Sequence, residues 1–329
     1  MVQERVGIVT VTYGDRSAYF SKLIAAAVAH SNVAKIVVVS NGVDTKSDTC
    51  LKQLQKENAA KLIIHDLGYN SGSAKGFKEG ILRLLEEDVD FVWLLDDDNL
   101  PKDNALEKLL KSWNGFNNDA SKPLSLLSYR PQRKIYKDAI VQQNPYLMLG
   151  TENSFLGFNI LDKLNKPKAN KLEHVDSGVV AVAPYGGMFF HRETINKIGL
   201  PNAHFFLYAD DHEFSYRITK TGGKIILVLD SELEDLETSF HLKKPKRILH
   251  TRYFSTNSKN AIYYSVRNNV YFEKNFVTRK LVYFVNALSY IFILFLAMIF
   301  NPSHFWKFPI ILKAILSSSK HFKTNDKIK

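Results

Sequence analysis

Along the first hundred residues, short β-branched apolar runs alternate with stretches of helical periodicity. VGIVTVT, KIVVVS, KLIIHD and FVWLL predict strands, and DRSAYFSKLIAAAVAH, SDTCLKQLQKEN and SAKGFKEGILRLLEE predict the helices between them. In the third of these helices Phe77, Ile81, Leu84 and Leu85 share one face. Strand and helix in strict alternation require crossover connections, and hence an α/β fold with a largely parallel sheet. Such sheets bind ligands beyond the carboxyl ends of their strands. There the chain places Thr12, Tyr13 and Gly14; Ser40, Asn41 and Gly42; Asp66, Leu67 and Gly68; and then Asp96, Asp97 and Asp98.

Between about 115 and 178 the pattern weakens, and the enrichment in Asn, Lys, Pro and Ser predicts loops and short strands. Regular signals return in VVAVAPYGGMFFHRETINKIGLP, a strand entering Gly186 and Gly187, a second strand and a short helix. HFFLYADDHEFSYRITKTGGKIILVLDS then predicts a loop, a helix closed by Gly222 and Gly223, and another strand. Residues 281–300, LVYFVNALSYIFILFLAMIF, are interrupted chiefly by Asn286 and Ser289. Twenty such residues just reach across a bilayer core of about 30 Å. Arg279 and Lys280 precede the run and Lys307, Lys313, Lys320 and Lys323 follow it, so the positive-inside rule selects no orientation. A membrane-seated hairpin or interfacial helices with both ends cytosolic is the expectation, with a buried helix of a soluble fold as the alternative. HFWKFPIILKAILSSSKHFK mixes Phe305, Trp306 and Phe308 with spaced lysines, as in a helix lying at headgroup level.

Charge sharpens this division. The net charge of +11 is concentrated in residues 242–329, which hold 16 Lys and Arg against Glu273 and Asp326; the rest has 28 basic and 31 acidic residues. Nucleic acid and anionic lipid both attract such a segment, but a nucleic-acid arm has no use for the apolar run. The 329 residues therefore divide into an expected catalytic domain over 1–245 and a basic, apolar helical region over 246–329. Cys50 is the only cysteine, which rules out an intramolecular disulfide and argues against cysteine-ligated zinc. The opening MVQERVGIVTVTYG runs from charges straight into a strand, unlike a secretory leader, and a cytosolic catalytic portion is expected.

Two acidic clusters carry the candidate chemistry. Asp96, Asp97 and Asp98 end a predicted strand, where like charges repel unless water or a cation intervenes; a solvated acidic turn is the plainer alternative. Asp210, Asp211 and Glu213 open a predicted helix. N-capping and a Glu213–Arg217 pair account for part of this cluster, and a carboxylate at a helix N-terminus also suits a general base. GYNSGSAKG, residues 68–76, could offer backbone N–H groups to an anion, but it is neither a Walker loop nor a dinucleotide fingerprint; the alternative is a glycine turn with Ser73 as N-cap.

In their order, TVTYGDR, VVVSNG, the Asn-x-Gly-x-x-x-Gly run from Asn70, WLLDDDN, GGMFFHRETINKIGLP, FFLYADDHEFSYRI, His241 and YYSVRNNVYF resemble inverting family 2 glycosyltransferases. The resemblance spans about residues 5–270 and is greatest to the branch containing galactofuranosyl- and rhamnosyltransferases. It implies the GT-A fold, a mixed but mostly parallel sheet flanked by helices, here followed by a membrane-associated helical segment. It assigns Thr12, Tyr13, Asn41, Asn70 and Asp96 to the nucleotide-sugar donor, Gly187 and Asp210 to the acceptor side, and Asp211 to general-base catalysis. Asp96, Asp98 and His241, with His250 as substitute for the histidine, are assigned to a Mn2+ or Mg2+ ion, and Asp97 is left to a turn or structural role. The implied donor is UDP-galactofuranose, then dTDP-rhamnose; the implied acceptor is lipid-linked or a growing polysaccharide of the cell surface, met at the cytoplasmic membrane face through residues 279–329. A metal-dependent nucleotidyltransferase or phosphohydrolase, or a non-catalytic membrane scaffold, are the competing functions.

Overall fold

The computed structural model describes residues 4–116, 121–160, 174–237 and 252–325. Two units are distinguished by packing: one comprises residues 1–148, 170–206 and 210–238, the other 149–169, 207–209 and 239–329.

The first unit contains the alternation read from the sequence. Strands β1 (Val6–Gly14), β2 (Val33–Val43), β3 (Leu62–Asp66) and β4 (Phe91–Asp96) alternate with helices α1 (Ser17–Ala29), α2 (Thr45–Glu57) and α3 (Ser73–Leu85). β5 (Asn99–Pro101), α4 (Ala105–Phe116), β6 (Leu124–Tyr129) and α5 (Lys134–Val141) follow, then β7 (Ser177–Val180), β8 (Met188–His191), α6 (Thr194–Ile198), α7 (Asp210–Lys220) and β9 (Lys224–Asp235). The sheet runs β3-β2-β1-β4-β8-β6-β9-β5, with β7 also on β9. The first four strands are parallel, and β8 lies antiparallel between β4 and β6.

Pleating divides the strand side chains between two cores. Phe91, Trp93 and Leu95 of β4 join α1, α2 and α4 on one face, whereas Val92 and Leu94 join α3, α5 and α7 on the other. The chain winds outward in both directions from β1 and β4, which makes their carboxyl ends the topological switch point where α/β sheets take ligands. The loops and short strands expected over 115–178 are in part regular structure. β6 is a central strand, and α5 buries Tyr136, Ala139 and Ile140. LSLLSY is apolar on both faces and shows no alternation, and α5 is barely two turns long.

In the second unit α8 (Lys259–Glu273), α9 (Lys280–Ile299) and α10 (Lys307–Asn325) pack around Ile262, Val266, Leu294, Met298, Ile311 and Ala314. The 281–300 run is one helix, and it is the one described helix long and apolar enough to cross a membrane.

Candidate functional site

The aspartate triplet is split by its turn. Asp96 ends β4, Asp97 and Asp98 make the two-residue turn, and Asn99 opens β5, its Oδ1 accepting the Asp96 N–H at 3.1 Å. Asp97 turns inward, 4% exposed, and is gripped by the Arg16 Nε, 2.9 Å from Oδ1 and 2.7 Å from Oδ2. Arg16 also donates to Glu237 at 2.7 Å and lies against the rings of Tyr13 and Tyr19. Asp97 thus has the arginine as its counter-ion. Asp96 and Asp98 keep more accessible side chains, 36% and 17% exposed. Burial first, then the charges of Asp96 and Asp97, push the Asp98 carboxyl up to about 7.

Beneath Asp96 is a buried network that the sequence did not announce. Arg130, just past β6, is 3% exposed in its side chain; its Nη1 lies 2.9 Å from Asp96 Oδ2, and 3.4 Å from both Asn99 Oδ1 and Asp235 Oδ1. Asp235, at the end of β9, is equally buried and also accepts from Asn99 Nδ2 at 2.9 Å. Gly186 covers these groups, and a Cβ there would collide with Asn99, Asp96 and Arg130 together. The available signal was an arginine directly after an apolar run, and a lone Arg is too common to single out.

The loop before α3 forms the next wall. Asn41 is 2% exposed; its Oδ1 accepts from the Ser71 N–H at 2.7 Å and the Ser71 hydroxyl at 2.9 Å, and its Nδ2 donates to Gly72 O at 3.2 Å. Asn41 therefore shapes this loop, while Asn70 and Tyr69 are exposed on it. Gly72 has φ +83° and its Cα faces the Phe206 carbonyl so closely that no side chain fits. Gly72, not Ser73, is the N-cap residue of α3. Ser73 is already helical, and its hydroxyl reaches across to donate to Asp210 Oδ2 at 2.8 Å.

That bond joins the loop to the second acidic cluster. Phe206, Tyr208 and Ala209, all with left-handed φ, lead into Asp210 at the first position of α7, a costly conformation of the kind found where backbone is held for function. Phe214 and Ile218 anchor the helix in the core, and Glu213 pairs with Arg217 as its spacing suggested. Asp210 is 3% exposed; burial first, then the neighbouring Asp211 charge, push its carboxyl up to about 8, opposed by the Ser73 hydrogen bond. The Asp96 charge adds a smaller push in the same direction, so the two clusters, 114 positions apart in sequence, lie within electrostatic reach of one another. Asp211 is half-buried and accepts from the His212 N–H at 2.8 Å; His212 Nε2 lies 3.2 Å from the Tyr136 hydroxyl.

Thr12 is fully buried against Asp97, and Tyr13 is half exposed beside Arg16. Gly187 is buried in the sheet, its N–H on Leu94 O and its carbonyl accepting from the Ser128 N–H. His241 and His250 lie outside the described residues. Among the described residues no group of three or more His, Cys, Asp or Glu side chains is arranged to hold a metal ion. Asp96 and Asp98 nevertheless fit one end of a divalent site. They offer hard oxygen donors at the end of β4 and in the turn after it, and Mg2+-type ions characteristically take one or two carboxylates and complete their shell with substrate phosphates and water.

Comparison with known proteins follows the same lines. Residues 7–198 match the model of the family described as Glycosyl transferase family 2. The chain is 25% identical over 156 residues to the galactofuranosyltransferase GlfT1 of Mycolicibacterium smegmatis, a match covering 46% of each chain, so it spans about half the length of that relative. Among solved structures it resembles a mannosyltransferase of Pyrobaculum calidifontis in complex with GDP-Man and Mn2+, with a TM-score of 0.53 and 14% identity over 97% of this chain and 76% of the other. It also resembles GalNAc-T7 with UDP, GalNAc and Mn2+, with a TM-score of 0.54 and 12% identity over 81% of this chain and 48% of the other. At such identities these structures speak to the fold, which is GT-A.

Proposed function

Because this chain belongs to glycosyl transferase family 2, and is therefore a glycosyltransferase, we propose that it is an inverting, divalent-cation-dependent enzyme moving a sugar from a nucleotide diphosphate onto a lipid-linked or polysaccharide acceptor in cell-surface glycan synthesis. The observation that carries this reading is the pairing of two acidic clusters with different environments in one site. Asp96 and Asp98 sit at the switch point, and Asp210 and Asp211 sit on the first turn of α7, tied through Ser73 to the start of α3.

The division of labour follows from those environments. Asp96 and Asp98, with His241 as the further ligand, would hold a Mn2+ or Mg2+ ion, which when bound neutralises charge on the departing diphosphate. Tyr13, Asn70 and Asp96 contact the donor, while the buried Thr12 lies beneath and Asn41 holds the 70–72 loop. Asp211 accepts the proton of the acceptor hydroxyl as that oxygen attacks the anomeric carbon, on the face opposite the leaving diphosphate. Burial and the neighbouring Asp211 charge favour the protonated form of Asp210, which lessens the negative charge competing beside the base; with Gly187 it borders the acceptor side. One displacement inverts the configuration.

UDP-galactofuranose is the donor we favour, on the galactofuranosyltransferase relative, with dTDP-rhamnose second. Residues 1–245 form the catalytic domain, and 246–329 seat it on the cytoplasmic face of the membrane, where a lipid-linked acceptor is met by a two-dimensional search. The test is Asp211→Asn. Transfer is expected to fall by at least about a hundredfold while nucleotide binding with Mn2+ is retained, and near-normal transfer removes Asp211 as the base.

A further inference from the structure

The apolar helix α9 has two unlike sides. At about 100° per residue, the exposed Leu281, Phe284, Val285, Leu288, Phe292 and Ile299 fall within about 60° of one line along the helix. The buried Asn286, Leu294, Ala297 and Met298 lie on the opposite side. The exposed stripe is about 27 Å long.

The covered side is polar as well as packed. Asn286, fully buried, donates to Asn153 O at 2.9 Å and accepts from the Ile160 N–H at 3.1 Å. Asn153 Oδ1 accepts the N–H groups of Thr278 and Arg279 at 2.8 Å, at the entry to α9. Glu273 accepts from the Leu156 N–H and the Tyr283 hydroxyl, and the rings of Phe155 and Phe158 reach Tyr290, halfway along the helix. Irregular backbone with left-handed Asn153, Leu156 and Gly157 and an exposed Glu152 therefore lines the first half of α9. Beyond the far end the buried Lys307 ammonium donates to the carbonyls of Tyr253, Phe254 and Thr256. A helix crossing the bilayer would carry this loop and its exposed Glu152 carboxylate towards hydrocarbon, where a charged side chain and any lipid-facing irregular backbone are costly.

We infer that α9 does not span but lies in the plane of an anionic bilayer, its Leu281–Ile299 stripe sunk to the acyl boundary and its other side remaining on the protein. Charge selects lipid as the occupant. From Lys274 to Asn325 the sequence holds Lys274, Arg279, Lys280, Lys307, Lys313, Lys320 and Lys323 and no acidic residue. Exposed Arg279 and Lys280 stand at the start of the stripe, and exposed Phe305, Trp306 and Lys313 follow it, the composition of an interfacial helix. This gives the physical form of the membrane seat on which the proposed function relies.

The test uses the full chain with vesicles of phosphatidylcholine alone or mixed with phosphatidylglycerol. Flotation is expected with the anionic vesicles and to be about tenfold or more weaker with the neutral ones. In a Cys50→Ser background, depth-sensitive labels on single cysteines at 281, 288, 292 and 299 are expected at one shallow depth. Labels deepest at 288 and 292 and shallow at both ends mean a spanning helix and overturn the inference. Phe284→Glu with Phe292→Glu, both at exposed positions, should lower flotation about a hundredfold and leave transfer to a water-soluble acceptor intact. No flotation, together with a dimer that these substitutions dissociate, assigns the stripe to a second copy and also overturns it. Flotation and label depth are read without any sugar transfer, so failure of the transferase assignment would appear separately, as absent turnover by a chain that still floats.

Discussion

Replacing Arg130 with methionine isolates the part of the site that holds Asp96 in place. The guanidinium and the Asp235 carboxylate are each 3% exposed, 3.4 Å apart, and tied through Asn99 to the strand-end turn. Methionine keeps most of the volume but leaves the buried Asp235 without its nearest cation. Arg133 is the nearest remaining positive group, at 3.8 Å from Asp235. Removing one partner of a buried pair costs about 3–5 kcal/mol, a large part of a domain stability of about 5–15 kcal/mol. Urea unfolding followed by tryptophan fluorescence reads this unit directly, because Trp93 and Trp113 are 0% and 6% exposed within its core. Arg130→Met combined with Asp235→Leu should recover at least half of the loss, since an apolar replacement of both charges removes the uncompensated carboxylate. Manganese-dependent nucleotide binding should weaken in the single variant as Asp96 loses its tether. A cost below about 1 kcal/mol, the range of a solvent-exposed pair, or a double variant as unstable as the sum of the two singles, would refute the reasoning.

Other groups give equally direct outcomes. Asp210 has its carboxyl raised in the folded state, so between about pH 4, its unfolded value, and about 8 the folded chain holds a proton that the unfolded chain has lost. Its contribution to stability therefore declines as pH rises through that window; Asp210→Asn should flatten the decline and be the more stable form at pH 8, as read by urea unfolding from pH 5 to 8.5. Ser73→Ala removes the hydroxyl that serves Asp210 and should cost about 1–2 kcal/mol in the same assay. Asn41→Ala deprives the 70–72 loop of three hydrogen bonds; it should cost about 2–3 kcal/mol and weaken nucleotide binding by calorimetry.

Which parts of this molecule were legible in the sequence follows from the range of the forces involved. The β1-to-β4 alternation was readable because each element carries its own period and parallel crossover leaves one arrangement. β6 and α5 were not, since Leu124–Tyr129 is apolar on both faces and Lys134–Val141 offers only one short buried stripe. Clustered carboxylates advertise themselves, which exposed both acidic groups. Their partners did not, because Arg16, Arg130, Asp235 and Ser73 are single residues 81, 34, 136 and 137 positions from the groups they serve. Three adjacent aspartates are equivalent on paper, and only the turn geometry sends Asp97 inward to Arg16 while leaving Asp96 and Asp98 accessible.

The most direct measurement is proton NMR of nucleotide-sugar turnover by the full chain with Mn2+ and a lipid-linked acceptor. Release of a nucleoside diphosphate, together with a product of inverted anomeric configuration, is predicted. Retained configuration, or release of pyrophosphate or inorganic phosphate in place of the nucleoside diphosphate, would contradict a single displacement driven by Asp211.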